Sequence, residues 1–114
     1  MVDVPPERFE VLVAEALDGI PDELGRLMDN VNVFVDDTSP PGRLLGYYEG
    51  IPLTRRDDYG GLALPDRITI FRQTICASCR DEDEVTEQVR VTVIHEVAHH
   101  FGIDDDRLTE LGWG

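Results

Sequence analysis

The spacing of apolar residues over the first 28 positions predicts two helices. Residues 5–7, Pro-Pro-Glu, suit the first turn of a helix, because proline lacks an N–H that would go unpaired there and an acidic side chain is favoured at a helix N-terminus. Apolar residues then recur at helical spacing, at Phe9, Val11, Leu12, Val13, Ala16 and Leu17. This helix is expected to end at residues 18–19, and a shorter one is expected over residues 21–28.

Three short runs rich in β-branched and aromatic residues predict β-strands. They span residues 31–35, 44–48 and 67–71. Residues 39–42, Ser-Pro-Pro-Gly, predict a turn. Residues 54–66 show no periodicity and contain two adjacent glycines, which predicts a mobile surface loop. Residues 76–80, after the third strand, are expected to form a connector.

Residues 89–94 combine two conflicting signals. Taken alone, this valine-rich run favours a strand. However, valines recur at steps of four at positions 85, 89, 93 and 97, four acids at 81–84 suit a helix N-terminus, and Gly102 provides a C-terminal stop. We therefore predict one long helix. Because apolar residues surround it over 91–101, it is expected to be buried on most sides.

Length and composition favour a single domain spanning residues 1–114. The chain has 114 residues, of which 41% are apolar and 30% are charged, and domains usually contain about 100–150 residues. No apolar run approaches the ~20 residues that a membrane-spanning helix requires. Residues 1–6 lack the basic and apolar regions of a signal peptide, so a cytoplasmic location is expected.

The charge balance argues against nucleic acid as a partner. The chain contains 24 acidic residues and 10 basic residues, all of them arginine, for a net charge of −14. Nucleic-acid backbones are bound through clustered Lys and Arg, whereas these arginines are scattered. The same deficit of positive charge disfavours anionic membrane surfaces. The acidic surface is interpreted as a contribution to solubility.

Two of the three histidines form an HExxH sequence, His95-Glu96-Val97-Ala98-His99. On a helix, positions i and i+4 lie on one face with Cβ atoms roughly 5–6 Å apart. This spacing allows two imidazole nitrogens to bind one zinc ion at about 2.0–2.1 Å. Glu96 lies about 100° further round the helix, where it can reach a water molecule on the metal and accept its proton. The pattern therefore predicts a zinc site with a general base.

The motif extends to H-E-x-x-H-x-x-G-x-x-D, through Gly102 and Asp105. A left-handed glycine would end the helix and turn the chain back, so that an aspartate could supply an oxygen ligand at about 2.0–2.2 Å. Asp105 has the favoured spacing, although its neighbours Asp104 and Asp106 remain alternatives or caps for a helix beginning near Arg107. Glu110 is a less favoured ligand. His100, about 140° from His95 around the helix, is expected to face away in a hydrogen-bonded structural role.

The sequence resembles the minimal zincin-like metallopeptidases of bacteria over nearly its whole length. The resembling segments are residues 5–9, 50–53, 64–69, 95–105 and 111–113. The resemblance implies an α+β fold in which a small twisted sheet packs on helices, one of which carries the metal site. It also implies zinc ligands at His95, His99 and Asp105 and a general base at Glu96. The implied activity is zinc-dependent hydrolysis of a peptide or protein substrate.

The chain departs from the larger metzincin group in two respects. Its third ligand is Asp105 where histidine is more usual, and no methionine follows the motif to form a turn beneath the metal. These departures weaken the expectation of efficient proteolysis more than that of metal binding. Two alternatives therefore stay open, namely a metal-binding regulatory or interaction module without peptidase turnover and a zinc hydrolase acting on another substrate.

The cysteines and aromatic residues receive simpler interpretations. Cys76 and Cys79 form one CxxC with no second pair to complete a zinc site, and acidic residues follow them closely, so reduced and inert thiols are expected. Among the tyrosines, Tyr59 is the preferred candidate to donate a hydrogen bond to a tetrahedral oxyanion. Trp113 is expected to anchor the C-terminus to the core.

Overall fold

The structure is a computed structural model that describes residues 1–39, 43–50 and 65–113. Five helices and three strands are present in these ranges. In chain order they are α1 (Pro6–Asp18), α2 (Asp22–Leu27), β1 (Val31–Asp36), β2 (Gly46–Glu49), β3 (Asp66–Phe71), α3 (Arg72–Ser78), α4 (Glu82–His100) and α5 (Asp105–Leu111). The predicted α+β class is confirmed.

The three strands form one mixed sheet in the order β1-β3-β2. β1 runs parallel to β3, with Val33 opposite Ile68, and β2 runs antiparallel to β3, with Tyr48 opposite the same Ile68. Because side chains alternate between the two faces of a strand, these three residues share the face that packs on the helices. Tyr47 lies on the opposite face and is 53% exposed.

The hydrophobic core lies between this sheet face and helices α1 and α4. Its fully buried side chains include Phe9 and Leu12 of α1, Ile68 and Ile70 of β3, and the α4 valines at positions 85, 89, 93 and 97. Burial of each such side chain contributes about 1.5–3 kcal/mol. The four-residue step of these valines therefore fixes which face of α4 is turned inward and leaves a different face for the histidines.

Helix α4 confirms that the helical signals outweigh the strand propensity of residues 89–94. Asp81 caps its N-terminus by accepting a 2.9 Å hydrogen bond from the Glu84 N–H. The expected burial on most sides is confirmed, since Thr92, Ile94 and Ala98 are buried as well as the four valines. The side chains of His95 and His99, which are 36% and 50% exposed, lie on the remaining open side. The open side of α4 is therefore the one that carries the two histidines.

The prediction for residues 76–80 is partly wrong, because helix α3 extends to Ser78. Long-range contacts hold this short helix: Ile75 and Cys76 are buried, and the Arg72 guanidinium donates to Asp37 and to the Val4 carbonyl, both at 2.9 Å. A seven-residue helix is too short to show a reliable period.

The other predicted elements lie close to their observed positions. The second strand, predicted over residues 44–48, spans Gly46–Glu49. Trp113 packs against the core as expected. Most of the predicted turn at 39–42 and of the loop at 54–66 lies outside the described residues. Within the described ranges, no helix has the length and apolar character required to cross a membrane.

Candidate metal centre

His95 and His99 lie one turn apart near the end of α4 and face the same side. Their ring centroids are 5.8 Å apart. The Nδ1 atom of His95 lies 3.0 Å from the Val91 carbonyl oxygen, so the tautomer with a proton on Nδ1 makes this hydrogen bond and leaves a lone pair on Nε2. Metal-binding histidines usually have this arrangement, in which the second ring nitrogen donates to a carbonyl or carboxylate.

A tight turn after α4 brings Asp105 to the two histidines. Gly102 adopts a left-handed conformation with φ of +80°, and the N–H of Ile103 donates to the Ala98 carbonyl at 2.8 Å. Both features are typical of a glycine-terminated helix. Asp105 then begins α5, and its Oδ1 lies 2.9 Å from His99 Nε2 and 3.9 Å from His95 Nε2.

The other acidic candidates have different partners. Asp104 is the N-cap of α5, and its Oδ1 accepts a 2.8 Å hydrogen bond from the Arg107 N–H. This is the capping role that the sequence offered as an alternative to ligation. Glu110 accepts from the Arg107 side chain at 3.1 Å. Asp105 is thus the aspartate whose carboxylate lies beside the histidines.

The donor atoms of His95, His99 and Asp105 suit a zinc ion in type and approximate spacing. Tetrahedral zinc with ligands at ~2.0–2.1 Å places those ligand atoms about 3.3 Å from each other, between the two observed distances of 2.9 and 3.9 Å. Among the described residues, no group of three His, Cys, Asp or Glu side chains is already arranged around a metal position. The His99 and Asp105 donor atoms are hydrogen-bonded at 2.9 Å, closer than they would lie when both bind one zinc ion.

Glu96 is held from the side by strand β2. Its Oε1 accepts a 3.0 Å hydrogen bond from the Tyr48 N–H, so one oxygen has a fixed partner and the other is not used by this contact. Next to Glu96 and His95 is a cleft of about 260 Å³, whose wall includes Leu44, Leu45 and Val91. A carboxylate with one fixed oxygen beside such a cleft can accept a proton from a water molecule bound there.

His100 faces away from the other two histidines, as predicted. Its ring stacks on Tyr48 with centroids 4.0 Å apart. Its Nε2 lies 3.9 Å from Asp66 Oδ2, which is too long for the expected hydrogen bond. His100 is held instead by stacking on the Tyr48 ring.

The remaining sequence candidates lie apart from this site or outside the description. Cys76 and Cys79 are buried free thiols, and burial raises the pKa of the Cys76 thiol, which agrees with the inert role expected for them. Tyr59 lies outside the described residues. The hydroxyl of Tyr48, another of the tyrosines, already donates a hydrogen bond to Asp66 Oδ2 at 2.7 Å.

Sequence reasoning missed the part that β2 plays in this site. Tyr48 is 48 positions from Glu96, and no local pattern links the two. One signal was present in Gly46, where an added Cβ would lie 2.7 Å from Thr92 Cγ2. A glycine within a strand often marks a site of close approach by another element, here by the Thr92 side chain of α4.

A family model for zincin-like metallopeptidases matches residues 28–113 of the chain. The chain belongs to this family. The matched region includes all three strands and helices α3 to α5. It therefore includes His95, Glu96, His99 and Asp105.

A solved structure supports the same fold. A conserved hypothetical protein from Thermus thermophilus superimposes with a TM-score of 0.56 and 23% sequence identity, over 85% of this chain and 94% of that one. No curated protein matches the chain significantly. The resemblance seen in the sequence is confirmed at the level of family and fold.

Proposed function

We propose that this zincin-like protein is a zinc-dependent metallopeptidase, with one zinc ion held by His95, His99 and Asp105 and with Glu96 as the general base. The observation that carries the proposal is the position of Asp105, whose Oδ1 lies 2.9 Å from His99 Nε2 although α5 is a separate helix. Zinc bound there would supply a water of lowered pKa, close to ~7, and a Lewis acid for the scissile carbonyl.

The chain's own residues would orient the ligands and move the proton. The Val91 carbonyl fixes the His95 ring through Nδ1. The Tyr48 N–H holds Oε1 of Glu96, so that Oε2 is the oxygen assigned to accept the proton of the attacking water. Glu96 then delivers that proton to the departing amine, a role that typically contributes about 10²–10⁴ in rate.

A peptide or protein is the proposed substrate, and neither nucleic acid nor an anionic membrane is a proposed partner. The net charge of −14 supports this choice, because both of the latter surfaces repel an acidic protein. We also propose a cytoplasmic location. Two buried cysteines that remain free thiols suit a reducing compartment.

The test compares wild type with Glu96→Gln, both loaded with zinc, on an unbiased peptide library read by mass spectrometry. Glutamine is nearly isosteric but accepts no proton at neutral pH, so cleavage should fall by about 10²–10⁴ while zinc content stays the same. Glu87→Gln is the matched control, since Glu87 lies on the same helix and pairs with Arg90 at 2.6 Å, away from the site.

Two outcomes would contradict the proposal. Equal cleavage by wild type and Glu96→Gln would remove Glu96 from the mechanism. Zinc binding without any cleavage by wild type would instead favour a metal-binding regulatory or interaction module.

A further inference from the structure

Residues 46–50, which include strand β2, lie along helix α4 with three close approaches in a regular register. A Cβ on Gly46 would lie 2.7 Å from Thr92 Cγ2, the Tyr48 N–H donates to Glu96 at 3.0 Å, and a Cβ on Gly50 would lie 3.1 Å from His100 Cε1. The contacts step by two residues along the strand and by four along the helix.

This register follows from the dimensions of the two elements. Two residues of a strand rise about 6.6–6.8 Å and four residues of a helix rise about 6.0 Å. The mismatch is below about 1 Å per step on these values, so the strand and the helix stay aligned over three contacts. The two glycines allow the approach because a Cβ at either position would crowd an α4 side chain, Thr92 at position 46 and His100 at position 50.

Tyr48, at the centre of the register, is held through its side chain as well. Its hydroxyl donates to Asp66 Oδ2 on β3 at 2.7 Å, and its ring stacks on His100 with an interplanar angle of 21°. The Asp66 side chain is only 14% exposed. The side chain of Tyr48 therefore joins β2 to both β3 and α4.

The backbone of Tyr48 turns its N–H away from the sheet. The Phe71 N–H donates to the Leu45 carbonyl, so antiparallel alternation makes Tyr48 and Ile68 a pair without mutual hydrogen bonds. The outward N–H of Tyr48 donates to Glu96. Among the described strands, β2 is at the edge of the sheet, where such N–H groups need another acceptor. A carboxylate makes a stronger bond than a neutral acceptor, so this contact orients Glu96.

We infer that Tyr48 is a positioning residue for Glu96: its hydroxyl fixes β2 to β3 and its ring packs on α4, so that its N–H holds Oε1 and directs the other carboxylate oxygen. The inference rests on the proposed function for its catalytic consequence. The register of β2 on α4 does not depend on the proposed function, so the positioning role and the proposed function can fail separately.

The first test measures hydrogen exchange at the residue 48 amide by NMR in zinc-free protein. Tyr48→Phe keeps the N–H but removes the hydroxyl bond, and it should lower the protection factor at that amide by about tenfold. Tyr47→Phe is the matched control, because Tyr47 is the neighbouring tyrosine on the exposed face of the same strand. Equal protection in both variants would overturn the inference, whether or not the protein cleaves peptides.

The second test separates positioning from general stability by kinetics with a peptide that wild type cleaves. Tyr48→Phe should lower kcat about tenfold while KM and zinc content stay at wild-type values, because only the orientation of the base has changed. Tyr47→Phe should leave kcat unchanged. A change in KM alone, or an equal loss of kcat in both variants, would contradict a positioning role.

Substitutions at Gly46 and Thr92 test the same register without changing Tyr48. Gly46→Ala should displace β2 from α4 and reduce exchange protection at residue 48. Adding Thr92→Ser removes the Cγ2 atom that the new Cβ would contact but keeps the hydroxyl to which Gln88 donates at 3.2 Å. The double variant should regain part of the lost protection, and no recovery would contradict the register.

Discussion

His99 and Asp105 belong to different helices, yet His99 Nε2 lies 2.9 Å from Asp105 Oδ1. The contact depends on the turn at Gly102, which reverses the chain between α4 and α5. Leu108, which is buried, fixes α5 to the core. A histidine and a carboxylate held this way form a polar pair that a metal ion can enter by displacing the hydrogen-bonded proton.

The first prediction concerns the identity of the third ligand. Asp105→Ala should reduce zinc affinity by at least about tenfold, since it removes one of three donor atoms. Asp104→Ala should retain zinc but lose about 0.5–2 kcal/mol of stability, because Asp104 caps α5. Asp106→Ala should change neither property by much. Isothermal titration and thermal unfolding measure the two effects, and equal zinc affinities in all three variants would contradict the assignment.

The second prediction concerns the turn that delivers Asp105. Gly102→Ala and Gly112→Ala both place a side chain at a left-handed position, with φ of +80° and +76°. Both should therefore lose about 1–2 kcal/mol of stability. Only Gly102→Ala should also weaken zinc binding, because Gly112 follows α5 and does not set the position of Asp105. If both variants bind zinc as wild type does, the turn does not control the site.

The third prediction concerns the thiols. Cys76 and Cys79 are buried in the core, and burial raises the pKa of the Cys76 thiol, so alkylation of the native protein at neutral pH should be slow and should become fast on denaturation. A folded pKa above the ordinary value of about 8.5 also means that the unfolded chain loses this proton first, so the free energy of unfolding should fall as the pH rises beyond that value.

Replacing both cysteines by alanine should leave zinc stoichiometry unchanged. Rapid alkylation of the native protein, or loss of zinc from the double alanine variant, would contradict the assignment of inert core residues. Alanine is the better replacement because serine would bury a hydroxyl at each position.

The sequence is informative wherever a structural signal is local. The four-residue valine step, the four acids at 81–84 and the glycine after the helix were sufficient to predict α4 despite the strand propensity of residues 89–94. The spacing from His95 to Asp105 likewise anticipated which carboxylate reaches the histidines, because the intervening turn is set by one glycine conformation.

The parts that the sequence did not predict depend on contacts between distant residues. Helix α3 is stabilised by the contacts that Arg72 makes with Asp37 and Val4. The hydrogen bond from the Tyr48 N–H to Glu96 requires β2 and α4 to lie in register. Neither set of contacts corresponds to a periodic pattern in the sequence. Only the glycines at 46 and 50 indicate that β2 and α4 approach each other closely.

The most direct test of the proposed centre is a crystal structure of the zinc-loaded protein, with diffraction data collected at the zinc absorption edge. We expect one anomalous peak about 2.0–2.2 Å from His95 Nε2, His99 Nε2 and an Asp105 oxygen. His95 Nδ1 should remain within hydrogen-bonding distance of the Val91 carbonyl. A peak that Asp105 does not coordinate, a peak elsewhere on the chain, or no peak at saturating zinc would contradict the central claim.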